Sequence, residues 1–150
     1  MRNTFRKLLW VTALLTLTAQ MSYAQVTNEA ALAGFGGLDG LTKMTADFVD
    51  RIQKNVRIAP FFKETDSDRL TALLTEQFCD VLGGGCKYSG RSMKSVHTGM
   101  GVKTAHFNAL AEELQLAMSA AGVSQSEQYR LIAKLAPMHR DVVEDRKSVV

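Results

Sequence analysis

The chain has 150 residues, 18 of them basic and 15 acidic, a formal net charge of +3, and no repeat, low-complexity tract or Pro-rich linker to divide it. That bounds it to one domain with its own core. The charge excess is wholly N-terminal, because Arg2, Arg6 and Lys7 fall in the first 24 residues, which hold no acid; the rest is balanced, which removes the main support for a nucleic-acid-binding reading and leaves no need for a membrane-surface role.

Those first residues divide into three zones: the basic cluster, an apolar run from Leu8 to Leu17, and small residues ending Ser22-Tyr23-Ala24. This is the layout of a secretory signal peptide, with cleavage expected after Ala24. The rival reading is an uncleaved membrane anchor, which needs roughly 20 continuous apolar residues. Here the run is shorter and is interrupted at Thr12, Thr16 and Thr18, and no Cys at the cleavage site indicates a lipoprotein. Residues 25–150 are therefore expected as a single exported domain with its core over about 35–145, in the periplasm or outside a bacterial cell.

Beyond the signal, apolar residues recur at helical spacing and no stretch alternates like a strand for long. A short N-terminal helix over 26–34 is expected outside the core. Leu41, Met44, Phe48 and Ile52 share one face of a helix over 39–55. Pro60 opens a turn-like segment before Phe61 and Phe62. The stripe Leu70, Leu73, Leu74, Phe78 and Val81 predicts a helix over 67–82, opened by the capping candidates Asp66 and Ser67 and stopped by Gly83-Gly84-Gly85. No Lys-Ser/Thr pair follows those glycines, so a helix stop explains them better than a phosphate cradle.

Between Lys87 and Lys103 lies a glycine-rich loop with one weakly periodic piece, Met93 to His97. Bundles join helices by short turns, so a loop of this length calls for an occupant or a purpose. A helix over 104–121, capped at Thr104, carries Phe107, Leu110, Leu114, Met118 and Ala121 on one face and ends at Gly122. The last helix, 125–144, begins at the pair Ser124 and Glu127, presents Leu131, Ile132, Leu135, Met138 and Val142, and is expected to kink at Pro137.

Cys79 and Cys86, the two cysteines of an exported chain, fit a disulfide across the glycine turn; two unpaired small hydrophobes are the alternative. No CxxCH is present, which argues against covalent haem attachment of the c type, and Walker, HExxH, GxSxG and zinc spacings are absent from the sequence. His97 lies beside Met93 and Val96, which are expected to face inward. A neutral imidazole on a short helix under an apolar cavity suits a haem iron, whereas a surface or capping histidine is the plainer reading, and spacing alone leaves both open.

The landmarks Gly36-Gly37, Asp47-Phe48, Pro60-Phe61-Phe62, Asp68-Arg69-Leu70, Leu82-Gly83-Gly84, Tyr88-Ser89-Gly90 and Met93-Lys94-Ser95-Val96-His97 with Gly99 and Gly101 stand in the order and spacing of one family. In them the chain resembles the group 1 truncated haemoglobins. The resemblance implies an all-α two-over-two sandwich around haem b, with helix pairs 39–55/67–82 and 104–121/125–144, and His97 as the iron ligand. Phe62 and Phe78 become pocket walls, with Phe48, Val49, Phe61, Leu70, Leu74, Met93, Val96, Val102 and Phe107 completing the haem contacts. It also implies a diatomic gas as the partner and a reductase, not identified, as electron donor; a monomer or weak homodimer is expected.

The distal side departs from the family. Where these globins commonly place a tyrosine stands Val49, and where they often place a polar residue stand Leu70 and Leu74. A hydrogen-bond donor near bound dioxygen holds it by a charge-assisted bond, and these three side chains supply none. Nitric oxide or carbon monoxide handling is therefore favoured over oxygen storage. A haem redox enzyme, such as nitric oxide detoxification or peroxidase-like turnover, lacks a visible distal acid or base. Electron transfer would require a sixth ligand from Met100 or His106. A haem-free interaction module on the same scaffold would be marked by loss of His97, which is present. His106 reads as exposed or structural, and His139, placed on the polar side of the last helix, is given no role.

Overall fold

The computed structural model describes residues 28–144, all of whose regular elements are helical. The expected signal peptide lies outside them. Seven α-helices follow in order: α1 Glu29–Leu32, α2 Gly37–Lys54, α3 Ser67–Val81, α4 Met93–His97, α5 Thr104–Ala120, α6 Gln125–Leu135 and α7 His139–Val142, with 3₁₀ turns at Ala33–Phe35, Ala59–Phe62 and Ala136–Met138. Helices α2 and α3 pack together, α5 lies against α2, and α6 touches both α3 and α5, giving the two-over-two sandwich. No helix among the described residues is long and apolar enough to cross a membrane.

The core is one cluster around α2, where Leu41, Met44, Phe48 and Ile52 are buried as their spacing predicts. Phe48 meets Phe78 of α3 with ring centroids 6.1 Å apart. The N-terminal segment corrects its sequence reading. Leu32 and Phe35 belong to the buried cluster, Asn28 N–H donates to the Gly84 carbonyl at 2.8 Å, and Leu32 lies against Gly84 so closely that any side chain there would strike it.

Helix α3 starts with the Asp66 carboxylate accepting the Arg69 N–H at 2.9 Å. It ends in a paired stop: Gly84 N–H donates to the Cys79 carbonyl at 2.8 Å and Gly83 N–H to that of Asp80 at 3.0 Å, with Gly83 at φ 77. The turn is closed covalently by a Cys79–Cys86 disulfide. Its buried face differs from expectation. Thr75, Gln77, Phe78 and Cys79 are buried, whereas Leu70, Leu73, Leu74 and Val81 stay half-exposed. Leu70, Leu74 and Val81 pack at the edge of the core cluster, so the fully buried face of α3 is only partly the apolar one.

On α5, Ala109, Leu114, Ala117 and Met118 are buried; Ala121, expected on that face, is the exposed cap residue before Gly122, which leaves the helix at φ 74. Lys103, not Thr104, is the N-cap. The last helix is not one kinked rod. Pro137 removes a donor and divides it into α6, a 3₁₀ turn and α7, and the chain is extended by Val143. Ser124 accepts the Glu127 N–H at 3.4 Å, while the Glu127 carboxylate pairs with Arg130.

Candidate functional site

The segment from Lys87 to Lys103 is held where polar groups of other elements grip its backbone. Entering it, Tyr88 N–H donates to the Asp80 carboxylate at 3.1 Å, and Ser89 donates from its N–H at 3.0 Å and its hydroxyl at 2.6 Å to Glu76. The hydroxyl and amide of Ser89 hold the Glu76 carboxyl below its ordinary pKa. The Tyr88 phenol, raised by burial, donates to the Arg91 carbonyl at 3.0 Å. The Ser92 side chain then caps α4, accepting the Ser95 N–H at 3.3 Å.

His97 ends α4 half-buried, its Nδ1 2.7 Å from the Met93 carbonyl. A carbonyl can only accept, so Nδ1 carries a proton, and in the neutral imidazole Nε2 is then the nitrogen with the lone pair. A backbone carbonyl on the far nitrogen is the arrangement that orients an imidazole for a metal.

The fold also leaves a set of large apolar side chains incompletely covered. Phe61, Phe62, Leu70, Leu74, Met93, Val96 and Phe107 are each half-buried, although they come from four different elements. A folded domain seldom leaves so many large apolar groups short of partners unless something else covers them. Phe78 and Phe48 are fully buried in the core cluster. Val49 is buried at 2 % exposure and Val102 at 7 %, and neither belongs to that cluster. A flat apolar cofactor with one metal position suits this donor set and these walls, and haem answers that description.

Three residues that sequence reasoning passed over join this region. Gln77, 6 % exposed, aims its amide at the sulfur atoms of Met93 and Met138, 3.3 and 3.8 Å away, so α3, α4 and the turn after α6 meet there. Its position, three residues past Leu74, continues the leucine stripe, a signal overlooked because only apolar residues were counted. Thr75 Oγ1 is a buried side-chain atom without a hydrogen-bond partner. Glu144 grips the backbone after His97 from the end of the described chain.

His139 is corrected as well. It is half-buried, edge-on to Phe107 at 4.9 Å, with Nε2 3.3 Å from the Thr104 hydroxyl. His106 accepts the Lys103 N–H on Nδ1 at 3.1 Å, closing the first turn of α5, and its ring lies 4.8 Å from that of Phe61. Met100 sits partly exposed in the turn after α4.

Comparison with known proteins places this geometry. Residues 32–144 match the family described as bacterial-like globin. The chain is similar to a group 1 truncated haemoglobin of Mycolicibacterium paratuberculosis, 32 % identical over 107 residues that make up 71 % of this chain and 79 % of that protein. One from Synechocystis is 30 % identical, covering 72 % of this chain and 92 % of its own length. Among solved structures, the Fe(III) form of a truncated haemoglobin from Tetrahymena pyriformis superposes with a TM-score of 0.72 at 26 % identity, over 75 % of this chain and 97 % of that one.

Proposed function

Since the chain belongs to the bacterial-like globins and, within them, to the group 1 truncated haemoglobins, so that its cofactor is haem, we propose that it binds a diatomic gas at an iron held by His97. When bound, the haem would supply an iron able to coordinate a diatomic gas. The single observation that carries the reading is the bond from His97 Nδ1–H to the Met93 carbonyl at 2.7 Å, which orients the ring and leaves Nε2 as the nitrogen available to a metal. Phe61, Phe62, Leu70, Leu74, Met93 and Val96 would cover the faces of the macrocycle and exclude water.

The gas-binding side is read as apolar. Val49, Leu70 and Leu74 carry no donor, and the buried amide of Gln77 is turned toward Met93 on the α4 side. Dioxygen gains most from a donor, so its absence favours nitric oxide or carbon monoxide. The zoned segment 1–24 supports export to the periplasm with cleavage after Ala24, for which mass spectrometry of protein recovered from that compartment should find Gln25 as the first residue.

The test is the visible spectrum of haem-loaded protein, before and after dithionite, for the wild type and His97→Ala. A Soret band that the substitution abolishes or strongly shifts is expected. If excess haem produces no such band in the wild type, or if His97→Ala leaves it unchanged, the proposed ligand is wrong.

A further inference from the structure

Helix α4 is five residues long and buries none of them fully, so helix propagation and apolar packing do little to fix its place. Its last turn is closed locally: the Thr98 N–H and hydroxyl both donate to the Lys94 carbonyl, at 3.0 and 2.6 Å, and Met100 N–H donates to that of His97 at 3.1 Å. The next contacts come from far away in the chain. Gly99 N–H donates to one carboxylate oxygen of Glu144 and Gly101 N–H to the other, each at 2.6 Å. Glu144 N–H donates in turn to the Val102 carbonyl at 2.8 Å.

Gly99 and Gly101 stand at φ 84 and 67, left-handed backbone that lets two amides converge on one anion. No atom lies within 4 Å of where a Cβ would be at either, so backbone conformation and not crowding calls for glycine. With both oxygens engaged the carboxylate is fixed in rotation, and charge-assisted bonds of this kind are short and directional. The clamp forms one wall of an open cleft that reaches His97 between α4 and α7.

We propose that Glu144 is a positioning residue for the iron: by clamping the turn after His97 it sets where α4 presents the imidazole. The inference rests on His97 being the ligand. It differs from a purely stabilising role because it requires the iron–histidine bond itself to respond.

The experiment uses the full chain loaded with haem and reduced, reading the iron–histidine stretching band by resonance Raman and the rate of haem transfer to excess apomyoglobin. Glu144→Ala should lower and broaden the band and speed haem loss about tenfold, the lower end of what outer partners of a metal ligand contribute. Glu144→Gln, which keeps one acceptor oxygen, should fall between. Gly99→Ala strains the donor side of the clamp and should reproduce the shift, which keeps the test decisive should Glu144→Ala fail to fold. Glu112→Gln, at a surface carboxylate paired with Arg57, should change neither reading. An unaltered band in the Glu144 and Gly99 variants, with haem loss within about twofold of wild type, overturns the proposal alone. No iron–histidine band in the wild type overturns the ligand assignment and this proposal with it.

Discussion

Helices α2 and α4 hold their places by different means. Helix α2 has 18 residues and buries six of them, so its position follows from apolar area and dense packing. Helix α4 has five residues and buries none, and it is placed by hydrogen bonds to Asp80, Glu76 and Glu144 at its flanks, with the Cys79–Cys86 bridge fixing the approach. A packed helix is insensitive to any one polar bond. A tethered one answers to each tether, and here the tethered one carries the imidazole.

The largest expected effect lies in the packed half. Leu41→Ala should lower unfolding free energy by about 2–5 kcal/mol, read from denaturant midpoints, because Leu41 is wholly buried. Lys94→Ala on the exposed side of α4 should stay within about 0.5 kcal/mol. Equal losses at the two sites would break the contrast.

Reducing the disulfide is next. The bridge spans seven positions of sequence, and closing so short a loop contributes about 2 kcal/mol. Reduction should add the mass of two hydrogens and accelerate haem loss, since the approach to α4 is loosened. Stability lost with no change in haem retention would mean that the bridge serves the core and not the loop.

The smallest effect should be the one tied to pH. The Glu76 carboxyl is held below its ordinary pKa by Ser89, so its contribution is complete above the unfolded glutamate value and is lost as pH falls through the lowered folded value. Acid titration of the Soret band should show this loss at the acid end, and Glu76→Gln should flatten that part of the curve. An identical acid limb in the variant would remove Glu76 from the tethers.

Much of this was legible beforehand, for reasons that can be named residue by residue. The buried face of α2 was correct because Leu41, Met44, Phe48 and Ile52 share one helical stripe. The stop after α3 was visible because only glycine readily takes the conformation that Gly83 adopts. Helix α3 misled, since Leu70, Leu74 and Val81 only edge the core and stay half-exposed, while Thr75 and Gln77 go inside. Leu32 was placed outside the core because one turn of helix gives too short a pattern to reveal its contacts.

By itself the sequence determined what depends on neighbours a turn or two away: the long helices α2, α3 and α5, the glycine ends of the latter two, a disturbance at Pro137, and a cysteine pair close enough to close a loop. Only the tertiary structure decided which face of α3 is covered, that His139 packs on Phe107, and that Glu144 holds Gly99 and Gly101 across separations of 45 and 43 residues. Local spacing cannot encode such pairs, because whether a carboxylate meets an amide that far away depends on how every helix between them packs.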